Sequence, residues 1–159
     1  MKREYLDYSK RQKMTEYLIG RAATAGKPIT IAFVDESRAV IDITMMDGMA
    51  ARSVDLVSKK AYTAALMHKR TADWWVQMRK LGIDSFAMND PKMAYLPGGA
   101  PIFTADGDLI GAIGVSGWTM EEVRSTRRDV RNVLCSLGIY EGQRDYRIYY
   151  PLDVVDIRY

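Results

Sequence analysis

One cysteine and one histidine stand among 159 residues, and these two scarcities exclude more than the rest of the composition does. A lone thiol, Cys135, closes no internal disulfide, so the core must hold without covalent staples, and a reducing compartment fits. With a single imidazole at His68, a single thiol, and Asp106 and Asp108 reading as turn residues, metal-site spacing is absent. No apolar run approaches the roughly 18 residues that span a bilayer. The N-terminus also lacks the apolar core of a signal peptide. The cytoplasm is therefore the expected location, with no membrane partner. A concentrated charge is missing too. The net charge is +3, and the small basic groups Lys2-Arg3, Lys59-Lys60, Lys69-Arg70 and Arg127-Arg128 lie far apart. A nucleic-acid footprint gathers such charges on one face with aromatics between them, so these read as solvated helix faces.

What is present fits a single soluble domain: 48% apolar and 27% charged residues, in a chain long enough to bury a core. Residues 8–25 read as a helix, with Met14, Tyr17, Leu18, Ala22 and Ala25 at three- and four-residue steps and Gly26-Lys27-Pro28 as its stop. Residues 29–34 and 39–46 read as strands joined by Asp35-Glu36-Ser37-Arg38, which makes a hairpin. Helical periodicity returns over 53–69, where Val54, Val57, Ala61, Ala64, Ala65 and His68 form one stripe. A shorter helix is expected over 72–80, closed by Gly82, followed by an irregular stretch to 97. Strands at 101–104 and 109–115 flank Ala105-Asp106-Gly107-Asp108, a second hairpin signal. Thr119 and Glu122 form a capping box for a last helix that Gly138 ends. Residues 140–159, rich in tyrosine and β-branched side chains, read as one or two further strands. Two hairpins separated by helices imply an antiparallel sheet covered on both faces.

Two blocks carry the functional information. Asp47-Gly48 leads into Lys60-Ala61-Tyr62-Thr63-Ala64-Ala65, and Gly98-Gly99-Ala100-Pro101-Ile102 leads into Gly111-Ala112-Ile113-Gly114-Val115-Ser116-Gly117. Glycine weakens a strand, so a strand pair that keeps this many points to close approach by a helix or a ligand. With Ser53 between them, these blocks resemble the GlcG/HbpS-like family, which also supplies the C-terminal domain of PduO-type cobalamin adenosyltransferases. The resemblance spans roughly residues 10–138. It implies an α/β (α+β) fold, a profilin-like three-layer α/β/α sandwich around a five-stranded antiparallel sheet, assembled into oligomers. Some members of that family bind haem. This chain departs from the family's pattern in three places: Ser37-Arg38 replaces a Gly-Gly turn, Trp118 replaces a glycine, and Val123 replaces an acidic residue. The expected division is a family domain over 1–138 and an extension over 139–159 that packs on it or on a neighbouring subunit.

His68 is the one candidate for an imidazole ligand or a near-neutral acid–base; the alternative is a histidine that caps its helix or faces solvent. Lys60 lies on the stripe Leu56-Lys60-Ala64-Met67, beside the apolar face. There it can lose basicity and serve as a base, an anion contact or a Schiff-base amine. Alternatively it pairs with Asp47 or Asp35 and ties a turn to a helix. Asp47 is more naturally a turn residue than an acid. Ser116 lacks the glycine spacing of a nucleophile elbow, and the glycines lack the Gly-Lys-Ser/Thr ending of a phosphate loop. Of the pair Trp74-Trp75, one belongs in the core and the other at a pocket or oligomer contact.

The expected site is therefore a small concavity bounded by Gly98, Gly99, Gly114, Ser116, Gly117 and Trp118. Lys60 is its cation, amides near Gly99 are its anion donors, and His68 is a further ligand residue. The first function is a binding module for haem or another flat, hydrophobic or anionic molecule, acting as carrier, sensor or accessory. The alternative is a small catabolic enzyme acting on a carbonyl or carboxylate through Lys60 and Asp47. A third is a subunit of a hetero-oligomer that uses its tyrosine-rich tail. A homo-oligomer is expected, with Tyr146, Ile148, Tyr150 and Val154 near its contacts.

Overall fold

A computed structural model describes residues 4–118. The elements run α1 (Tyr8–Ala25), β1 (Thr30–Asp35), β2 (Val40–Met45), α2 (Arg52–Met67), α3 (Thr71–Lys80), a 3-10 turn (Ser85–Met88), β3 (Gly99–Phe103) and β4 (Leu109–Ser116). Both expected hairpins form. The sheet is antiparallel in the order β2-β1-β4-β3, so the described residues hold four strands where five were expected. The expected last helix and the 139–159 extension lie outside the described residues.

Local chemistry explains the ends. Asp7 caps α1 by accepting from the Lys10 amide at 2.9 Å, and Gly26 closes it at φ 64°, the left-handed turn that glycine enters at no steric cost. In the first hairpin Arg38 takes φ 71°, a strained value for a side chain with a Cβ. The Asp35 carboxylate offsets this by accepting from the amides of Ser37 and Ala39 at 2.9 and 3.0 Å and from the Ser37 hydroxyl at 2.6 Å. The second helix stops at Met67, two residues short of expectation, because His68 turns left-handed at φ 52°.

The two faces of the sheet differ in side-chain size. On one face Ile31, Phe33, Ile102 and Ile113 pack against Met14, Leu18 and Ala22 of α1. The other face belongs to α2, which crosses β4, β1 and β3 and barely touches β2. There the strands offer Thr30, Ala32 and Val34, paired with Ser116, Gly114 and Ala112, and then Gly99 beside Gly114. Because these side chains are small, α2 settles close to the strand backbones. β2 is left with Val40, Ile43 and Met45 exposed.

Gly20 contrasts with the sheet glycines. It sits in the interior of α1 with nothing within 4 Å of where a Cβ would lie. Gly20→Ala should therefore raise stability by about 0.5–1 kcal/mol through lost unfolded-state freedom; a fall in the urea midpoint would show that a partner occupies that face.

Candidate functional site

The close approach of α2 to the sheet puts a lysine inside the protein. A Cβ on Gly114 would strike the Val57 carbonyl oxygen and stand 2.9 Å from the Ala61 amide nitrogen. One on Gly99 would strike the Lys60 carbonyl oxygen and come within 2.6 Å of Thr71 Cγ2. With both side chains absent, the Lys60 turn of α2 rests on β3 and β4, and Lys60 is 7% exposed.

Its amine reaches the end of β4. Lys60 Nζ donates to Ser116 Oγ at 2.9 Å and to the Val115 carbonyl at 3.1 Å. Val115 continues the ladder by donating its amide to the Gly98 carbonyl at 2.8 Å. Gly98 then bends away at φ 117°, and a Cβ there would meet the Val115 carbonyl and lie 3.1 Å from Nζ. The lysine thus supplies an N–H to a strand-end carbonyl and packs against Gly98, which has no room for a side chain. Among the described residues no carboxylate lies within ion-pair reach of it. Burial without an offsetting anion pushes the ammonium down from 10.5 to about 8.

Of the expected site residues, Lys60, Gly98, Gly99 and Ser116 come together. Asp47 does not join them. It lies exposed in the turn after β2, and the amine's partners are the two neutral oxygens, so neither the Lys60–Asp47 pair nor one with Asp35 forms. The Gly99 amide is no anion donor either, because it already donates to Thr71 Oγ1 at 2.9 Å. Gly114 serves helix packing. Trp118 packs into the α1-side core, with a glycine-117 bend between it and Ser116. His68 is exposed at the far end of α2, its ring edge-on to Phe103 with centroids 6.0 Å apart. Eight residues of helix place it about 12 Å along the axis from Lys60, so the two do not share one small pocket. Trp74 is core at 8% exposure, while Trp75 is 36% exposed beneath Arg79.

Sequence reasoning missed the buried hydroxyls that frame this region. Thr71 holds the start of β3, Thr63 Oγ1 accepts from the Ala94 amide at 2.8 Å, and Thr30 and Ser53 share a hydrogen bond at 2.7 Å. Threonines on a helix carry no periodic signal for such roles; only Ser53, already part of the family pattern, gave a hint.

The family model described as "Haem degrading protein HbpS-like" matches residues 6–125. The chain belongs to the HbpS-like family. An uncharacterised 15.0 kDa protein of the dhaT–dhaS intergenic region of Citrobacter freundii is 28% identical over 116 residues, covering 71% of this chain and 80% of that one. Protein GlcG of Escherichia coli K12 is 34% identical over 88 residues, 55% of this chain and 63% of GlcG. Among solved structures, a PduOC–haem complex superposes with a TM-score of 0.71 at 22% identity, over 82% of this chain and 95% of that one. At that identity the likeness is one of fold. Among the described residues, no helix of this HbpS-like chain is long and apolar enough to cross a membrane, and no cluster of three potential metal ligands occurs.

Proposed function

We propose that this HbpS-like protein is a small-molecule-binding module, with haem or another flat, hydrophobic or anionic molecule as ligand, acting as a carrier, sensor or accessory protein in the cytoplasm. The family match over residues 6–125 carries the reading. The fold shared with a protein crystallised with haem supports it. So does the separation of Asp47 from Lys60, which removes the acid–base pair that the enzymatic alternative needed.

The residues fit haem in one respect. His68 presents an exposed imidazole beside an aromatic wall, Phe103, and an accessible nitrogen of this kind is a usual axial ligand to haem iron. Bound haem would supply a redox-active iron; the chain supplies His68 to hold it and Phe103 to pack beside it. Hemin titration of the purified protein should give a saturable Soret band, and His68→Ala should weaken binding more than tenfold with the fold intact. No saturable band in the native protein would sink the haem reading, and an unchanged titration in His68→Ala would remove His68 from the site.

A symmetric homo-oligomer belongs to the same reading, since Val40, Ile43 and Met45 leave an apolar stripe uncovered on β2.

A further inference from the structure

β2 is one edge of the sheet, and nothing in its sequence blunts it. Val40-Ile41-Asp42-Ile43-Thr44-Met45 holds no proline, lysine or arginine, the usual devices that keep an edge from pairing with another chain. Its one charge, Asp42, is turned to the α1 side, where Arg11 meets it at 3.5 Å. β3, the other edge among the described residues, carries Pro101, which has no N–H to offer.

The ladder fixes which groups β2 leaves open. Met46 donates its amide to the Ile29 carbonyl at 3.0 Å, and bonded positions alternate along an antiparallel pair. Thr44, opposite Ile31, is the next position bonded to β1, so the N–H and C=O of Ile43 and Met45 point to the open side. The side chains of these two stand opposite Ala32 and Thr30, on the α2 side of the sheet. With Val40 they remain between 39 and 48% exposed. One short segment thus offers both outward backbone groups and uncovered apolar side chains.

We propose that β2 pairs antiparallel with β2 of a second copy of this chain, around a two-fold axis at Thr44. The proposal rests on the symmetric-oligomer reading above and names its contact. In this register Ile43 of each copy stands opposite Met45 of the other. Every outward N–H and C=O of the two residues finds a partner, and the two apolar stripes meet on one face. No charge faces its like, because Asp42 stands opposite Met46. A centre at Asp42 would set two carboxylates together, and one at Ile43 would set Met45 against Ile41, the residue that the irregular ladder skips. Three side chains a copy fall well short of the roughly 800 Å² per partner of a standard interface, so the dimer is weak and dissociates on dilution.

The test follows amide hydrogen exchange of the full-length protein at about 1 mM and after hundredfold dilution, a span over which a weak dimer dissociates. The Ile43 and Met45 amides should exchange at least threefold more slowly in the concentrated sample, and Ile43→Lys should remove the concentration dependence. In a Cys135→Ser background, Thr44→Cys should oxidise to a disulfide dimer at least tenfold faster than Val40→Cys. The two Thr44 positions face each other across the axis as a close, non-hydrogen-bonded pair, whereas the two Val40 positions lie far apart. If exchange at Ile43 and Met45 ignores concentration while sedimentation still shows an oligomer, the β2 pairing is overturned and the oligomer reading stands. A disulfide that forms no faster at Thr44 than at Val40 overturns the register at Thr44. A chain that sediments as a monomer at the higher concentration ends both readings.

Discussion

Gly114→Val is expected to cost more than about 3 kcal/mol of stability and to leave little folded protein at 37 °C. The first added carbon already collides with the Val57 carbonyl and crowds Ala61 N at 2.9 Å. Both are backbone atoms of α2, so neither can swing aside as a flexible side chain would. The helix would have to lift from β4, and with it from the β1 and β3 surfaces it covers. Overpacking of a fitted interior costs roughly 1–3 kcal/mol when side chains can adjust, and here they cannot. Valine is otherwise a good strand residue, so propensity predicts the opposite sign. Urea unfolding decides between them: a loss under about 1 kcal/mol would mean that α2 does not rest on Gly114. Gly20→Ala is the matched control, since that glycine has nothing within 4 Å and its replacement should stabilise.

That contrast also shows what could be read without coordinates. The two hairpins, the helix stop at Gly26 and the stripe of α2 were legible because period and turn chemistry are local. The glycines of the second block were correctly read as marks of close approach. Whether the approaching group was a helix or a ligand was not legible, because that depends on which residues stand across the sheet. For Gly114 and Gly99 the answer is α2. The same gap explains Asp47. It precedes the Lys60 helix in sequence, yet the amine extends toward the end of β4, more than fifty residues later in the chain. The small residues facing α2 set that direction, and no spacing rule contains it. His68 takes the position given above as its alternative, an exposed residue that caps its helix. Its periodicity continued the stripe, but a left-handed turn at φ 52° took it off the helix.

The stability of the protein should rise with pH relative to a Lys60→Met variant, by roughly 2 kcal/mol between pH 7 and pH 10. Unfolded, the lysine holds its proton to about pH 10.5; folded, burial lowers that point to about 8. Between those values the unfolded chain binds more protons, and stability increases with pH wherever that holds. Below pH 8 both states are protonated and the folded state carries the full cost of a desolvated ammonium. Above about 10.5 both are neutral and the cost is gone. A shift of this size corresponds to at most about 3 kcal/mol, and solvent reaching the amine trims it. Tyr62 and Tyr95, whose phenols burial pushes upward, titrate in both proteins and cancel from the difference. Lys60→Met keeps an unbranched side chain, one atom shorter, and removes the proton. At pH 7 it gives up the bonds to Val115 and Ser116 and sheds the desolvation cost, so the two proteins should be close in stability there. Urea unfolding at half-unit pH steps reads the difference directly. A flat difference from pH 7 to 10 would show that the folded protein holds Lys60 as an ordinary solvated ammonium.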